Sequence, residues 1–348
     1  MRTLERRYDI DWIRVIAIGL LLIYHVAIGF QPWGIAIGFI GNDQPWLSLW
    51  IPMTLLNVWR IPLLFFVSGM GVYFALRNRT WSQLVRERAR RILLPFLFGM
   101  VAIVPVHIYL WQRYYHFDPG YTPGPGHLWF LGNLFSYVVL LSPAFLYLKR
   151  QEGQRFARWA ANVLRTPLGL LPVFALFIAE ALILHPIPFE LYAMTWHGFF
   201  LGLLAFFFGF FFVWCGSPFW NMLLRWWWLF FTAAVGLFVL RLIFFQPMAP
   251  LYLLSIESNC WILTVFALGY RYLNHPSKVL SYLSKAAYPI YIVHMIFLYL
   301  GSLLIFPLPI PVPIQFLLVL LFTTAGCFLS YELIIRRLRF LRPLFGLN

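Results

Sequence analysis

Ten apolar runs, each close to the length of a bilayer crossing, dominate the 348-residue sequence. They lie near residues 10–30, 52–76, 92–111, 127–148, 168–186, 195–215, 226–245, 251–270, 286–306 and 314–335. A helical span needs about 20 mostly apolar residues, whereas a soluble domain has about a quarter of its residues charged. Here 62% are hydrophobic and 11% charged. The sequence therefore predicts an all-α integral membrane protein, a bundle of about ten transmembrane helices forming one domain over residues 1–348.

The formal net charge of +15 does not point to nucleic acid, because the basic residues fall between the apolar runs. That is the distribution the positive-inside rule produces. With the N-terminus inside, every basic residue except Arg60, Arg113 and Arg241 falls on the inner side. An even number of spans with both termini cytoplasmic is expected. Arg2, Arg6 and Arg7 before the first run read as a retained signal-anchor. Cys215, Cys260 and Cys327 sit in apolar runs without ligand spacing. They are expected to be core residues, with no disulfide framework and no metal site. No internal repeat or low-complexity linker divides the chain. The prolines at 307, 309, 311 and 313 predict a short extended outer loop.

The first run carries two ionisable residues, Arg14 and His25. Such residues are costly in a span and usually face a protein interior or a wet cavity. Eleven residues come within about 20° of three full turns, and at 1.5 Å per residue the two lie roughly 16 Å apart along the axis. One helix face thus presents a fixed cation near one surface and a titratable base towards the other. Taken singly, they read as a snorkelling arginine and a histidine hydrogen-bonded within the bundle. Their shared face favours a functional pair.

Following each helix direction, His25, Arg60, His107, His127, Glu180, His197, Arg241 and Glu257 fall in the outer half of the membrane. His294 lies nearer the middle. Each alone reads as a satisfied histidine or an interhelical ion pair; eight at one depth predict a polar cavity opening outwards. On the inner side, Arg88 and Arg91 stand three apart at what reads as a helix start, and so share a face. Free backbone N–H groups and guanidinium forks make such a place a natural phosphate site. Plain positive-inside charge is the alternative there. Ser68-Gly69-Met70-Gly71 lies mid-span, where small residues usually permit close helix packing.

Arg14 followed by His25 resembles the R-x10-H motif in the first helix of the acyltransferase-3 family. The run Leu64–Gly69, the R-x-x-R pair Arg88/Arg91, Gly126–Leu131 (GHLWFL) and Tyr288–His294 (YPIYIVH) are similar to further motifs of that family. Residues 11–25 and 90–105 look closest to the branch containing glucans biosynthesis protein C. The resemblance implies a multi-span enzyme that moves an acyl group from cytoplasmic acyl-CoA to an extracytoplasmic acceptor, commonly a sugar. It implies a catalytic role for His25 and essential roles for Arg14, Arg88 and Arg91. Many relatives append a soluble esterase-like domain, which is not expected here, so the chemistry falls to the bundle.

The residues fit that chemistry. The inner arginines would hold the nucleotide phosphates of acetyl-CoA or succinyl-CoA, and the pantetheine arm would reach His25. Histidine suits a general base because its pKa lies near neutrality; a covalent acyl-histidine is the other route. Glu257 and Glu180 are candidates for an orienting acid, Arg60 for an oxyanion or acidic acyl group. His127 and Trp129 could receive a sugar, Trp129 as an apolar platform, although a tryptophan there also suits the interface belt. The lipid bilayer, acyl-CoA and a glycan are the expected partners. The rival reading is a secondary transporter of a small polar solute, for which paired halves with interrupted helices are expected and not found in this sequence.

Overall fold

The computed structural model describes residues 6–77, 79–245 and 248–347; Arg2 lies outside them. Among the described residues there is no strand, as a bilayer demands of a chain that does not close into a barrel, because every backbone N–H and C=O must be satisfied within its own segment. In chain order the helices are α1 (Tyr8–Ile28), α2 (Trp50–Asn57), α3 (Arg60–Arg77), α4 (Trp81–Arg88), α5 (Leu94–Ala102), α6 (Val104–Tyr114) and α7 (Trp129–Arg150). They continue with α8 (Arg155–Val163), α9 (Leu171–Leu184), α10 (Trp196–Cys215), α11 (Ser217–Phe244), α12 (Leu251–Tyr272), α13 (Lys278–Ile305) and α14 (Val312–Ser330). Among the described residues ten segments are long and apolar enough to cross a membrane, one for each expected run.

Three starts differ from expectation by eight residues or more, among them that of the ninth segment, at Lys278 rather than near 286. The third segment begins at Trp81 rather than near residue 92. Thr80 and Gln83 start it as a capping box: Thr80 N donates to Gln83 Oε1 at 2.9 Å and Gln83 N to Thr80 Oγ1 at 3.4 Å. The helix then runs on through a π-turn, Ala89–Leu93, into α5. Pro95 has no N–H for the Arg91 carbonyl and its ring crowds that oxygen, so the chain widens there. The seventh segment begins at Ser217 rather than 226, directly after Gly216 at φ +71° and with Pro218 in its first turn.

The chain divides into two compact units interleaved in sequence. The first takes Met1–Ala17, Asn57–Arg86 and Ser136–Leu280. Its centre is a crossing of α3 and α10 at glycine. A Cβ on Gly69 would strike the carbonyl of Phe206, and one on Gly209 would strike the carbonyl of Phe66. Each glycine sits three residues after the phenylalanine met by its counterpart, so the contact is reciprocal. Lipid offers no hydrophobic drive between helices, and close backbone approach supplies dispersion instead. Phe66, Phe177, Phe206, Phe212 and Phe266 fill the space around the crossing. Gly209→Ala is expected to destabilise the protein by about 1–3 kcal/mol through overpacking, seen as a lower unfolding temperature in detergent. Ser68, on the same helix, donates to the Leu64 carbonyl at 2.7 Å.

The second unit takes Ile18–Leu56, Glu87–Phe135 and Ser281–Asn348. Its core joins α1, α13 and α14 through Val26, Phe30, Met295, Leu298 and Val319. The Gln315 side chain accepts from Asn42 and donates to the carbonyls of Phe306 and Leu308 at 3.2 and 2.9 Å. It thereby ties the proline-rich connection between α13 and α14 to the segment after α1.

Candidate active site

Four intramembrane histidines, 107, 127, 294 and 25, meet in the second unit. α1 is unbroken from Tyr8 to Ile28, so Arg14 and His25 keep the phase and rise expected of them. His25 is partly exposed, while His294 is fully buried. His25 Nδ1 lies 2.8 Å from His294 Nε2, and His294 Nδ1 lies 2.6 Å from the Tyr291 carbonyl oxygen. The two rings are nearly coplanar, 15° apart, with centroids 5.1 Å apart. That is the arrangement of rings set end to end, with the lone pair of one nitrogen aimed at the N–H of the other.

His127 stands edge-on to His294, centroids 5.1 Å apart. Its Nε2–H donates to the Ile292 carbonyl at 2.9 Å, while Tyr291 Oη donates to the His127 carbonyl at 2.5 Å. α13 therefore holds His127 by side chain and backbone together. The turn that delivers it needs glycine: Gly126 has φ +49°, and a Cβ there would meet the Val104 side chain at 2.9 Å. The His127 Nδ1 atom is buried and makes no hydrogen bond among the described residues. His107 follows, its centroid 5.1 Å from that of His127. Trp129, partly exposed, has the Phe130 ring 6.3 Å away.

The remaining expected polar residues belong to the first unit. Glu257 accepts from Arg241 Nε at 2.9 Å and from Nη2 at 2.8 Å, both residues buried. Glu180 accepts from His197 Nδ1 at 2.9 Å, again both buried. Arg60 is buried at the start of α3. Arg14 pairs with Asp11 at 3.3 Å, and its Nη2 lies 3.7 Å from where a Gly71 Cβ would stand. Glu257 and Glu180, the expected orienting acids, are thus engaged by Arg241 and His197. What meets His25 Nδ1 is His294. His294 is not among the expected site residues, although a histidine midway along the apolar run 286–306, closing YPIYIVH, is the signal for a role.

Arg88 and Arg91 are not at a helix start. Arg88 ends α4, and Arg91 lies inside the π-turn, where its Nε approaches Glu87 Oε1 at 3.2 Å. No terminal N–H groups accompany them, so any anion binding there falls to the guanidinium groups. The Arg91 carbonyl and Tyr288 are packed against Gly346, just past the C-terminal turn Arg342–Phe345. π-turns inside α-helices are rare and frequent at functional sites.

Compared with known families, the chain matches the family model Acyl_transf_3, described as an acyltransferase domain, over residues 7–332. No curated protein and no solved structure gives a match.

Proposed function

Because this chain belongs to the acyltransferase-3 family, we propose that it transfers an acyl group from cytoplasmic acyl-CoA to a hydroxyl of an extracytoplasmic carbohydrate. It is an integral membrane acyltransferase; acetyl-CoA or succinyl-CoA as donor and a bacterial inner membrane as location belong to the proposal. So do a carbohydrate or glycan as the acceptor class and a place in the branch containing glucans biosynthesis protein C, which residues 11–25 and 90–105 resemble.

The observation that carries the reading is His25, partly exposed in a bundle of buried polar groups and hydrogen-bonded through Nδ1. Its Nε2 takes the acceptor hydroxyl proton as that oxygen attacks the thioester carbonyl. The new C–O bond forms, the C–S bond breaks, and the proton passes from Nε2 to the departing CoA sulfur. A histidine does both jobs near neutral pH. His127 and Trp129 receive the sugar, and Arg60 is the proposed cation for an oxyanion or an acidic acyl group. Purified protein given labelled acetyl-CoA or succinyl-CoA and envelope glycans should release CoA and label a glycan. Solute exchange in vesicles without CoA chemistry would instead favour a transporter.

Arg14, Arg88 and Arg91 are assigned to the donor. Arg88→Ala and Arg91→Ala should each weaken acyl-CoA binding by about 1.5–3 kcal/mol, the worth of a charge-assisted hydrogen bond. Titration calorimetry on monodisperse protein measures this, and wild-type affinity in the double variant would refute the assignment.

The donor side requires both termini in the cytoplasm. A membrane-impermeant maleimide should label Gln44→Cys in intact cells and leave Ser82→Cys unlabelled; both positions are exposed on the protein. The reverse pattern would invert the topology and remove the donor assignment with it.

A further inference from the structure

A general base of this kind is only useful if its lone pair faces the substrate, and a neutral imidazole has two tautomers of similar energy. Something must choose between them. In hydrolases the chooser is usually a carboxylate, but the carboxylates expected for the task are paired elsewhere, Glu257 with Arg241 and Glu180 with His197.

We infer that His294 is the positioning residue for His25: it accepts the His25 Nδ1–H and so holds the His25 lone pair on Nε2, where the acceptor hydroxyl is deprotonated. The inference rests on the reading of His25 as base. The direction of each hydrogen bond follows from one group that cannot donate. The Tyr291 carbonyl is an acceptor only, so His294 Nδ1, at 2.6 Å, carries the hydrogen. A neutral His294 then has its lone pair on Nε2. His25 Nδ1, 2.8 Å from that lone pair, is therefore the donor. The end-to-end, nearly coplanar rings satisfy the requirement that both lone pair and N–H lie in the ring planes.

His294 is itself held. It has no exposed surface, its Nδ1 is bonded to its own helix, and His127 is packed across it. The choice of tautomer thus traces to the backbone of α13. An imidazole partner also adds no negative charge to a buried site. When His25 takes the proton at Nε2, its Nδ1–H remains on His25 and still donates to His294 Nε2, so the new charge is stabilised by a polarisable ring until Nε2 gives the proton to sulfur.

The test reads the tautomer directly. Full-length protein with ¹⁵N-labelled histidine, in lipid, is studied by solid-state NMR, and the His25 resonances are those lost in His25→Gln. The wild type should show His25 protonated on Nδ1. His294→Gln, whose amide oxygen falls near the place of Nε2, should keep that tautomer and retain turnover about tenfold above the phenylalanine variant. His294→Phe preserves volume without an acceptor, and should move the proton to Nε2. Its kcat for acetyl-CoA-dependent transfer should fall on the order of 10²-fold or more, as a wrong tautomer does elsewhere, with KM for acetyl-CoA held. A wild-type His25 protonated on Nε2, or a His294→Phe protein still protonated on Nδ1, would overturn the inference. If the tautomer follows His294 yet no protein transfers acyl groups, the positioning stands and the proposed reaction falls. The wild-type spectrum decides even if His294→Phe does not fold.

Discussion

His25→Ala should lower acyl transfer by about 10²–10⁴-fold, the usual worth of a positioned acid–base group, with acyl-CoA still bound at close to wild-type affinity. The substitution removes a proton acceptor from a partly exposed position and leaves the helix that carries it intact. Single-turnover transfer and donor affinity, measured on the same monodisperse preparation, separate this outcome from misfolding. Misfolding would reduce activity only in proportion to the protein recovered. If the reaction passes through an acyl-histidine, label from the donor should remain on quenched wild-type protein and be absent from the variant. Arg14→Ala should fail differently, in donor binding, and Arg14→Lys should recover it only in part, because an ammonium lacks the guanidinium fork. Wild-type turnover in His25→Ala would end the proposal.

Glu257→Ala should destabilise the protein by about 3–5 kcal/mol, because it leaves the Arg241 guanidinium buried without its countercharge. Both residues are almost wholly buried, and the pair is closed by two hydrogen bonds of 2.9 and 2.8 Å. Replacing both, Arg241→Leu with Glu257→Leu, should restore most of that stability, since the desolvation of two charges disappears together with their attraction. Thermal unfolding of the two singles and the double gives the coupling. A catalytic Glu257 predicts another pattern: a single variant as stable as the wild type and inactive. The two readings of this residue therefore differ in what unfolds, as well as in what reacts.

The ten spans were legible because a bilayer imposes a length and an apolarity on each crossing, and both can be read within one window of sequence. The pairing of His25 with His294 was not legible, because it joins positions 269 residues apart. Hydropathy gives the depth of each polar residue along its own helix and says nothing of which helices are neighbours. Depth alone therefore could not say that His25 would meet His294, or that Glu257 would pair with Arg241 and Glu180 with His197. Glycine showed its purpose early: the expectation of close packing at Ser68–Gly71 is met at Gly69, against the Phe206 carbonyl. The start of the third span was missed for a local reason. The apolar signal begins only near residue 92, whereas the helix begins at the capping box of Thr80 and Gln83.

The widened turn at Ala89–Leu93 makes one rod out of two sequences written for different surroundings. Before it, α4 buries Leu84 and exposes Trp81, Ser82, Gln83 and Arg86, the habit of a helix with one wet side. Beyond it, α5 has no charged residue, and Leu97 and Val101 are exposed, as suits lipid. One surplus residue turns everything downstream by about 100°. The two stretches can therefore be faced independently, like two shafts joined by an offset coupling. Removing a single residue between 89 and 93 would leave the composition of both halves untouched and still point one of them the wrong way.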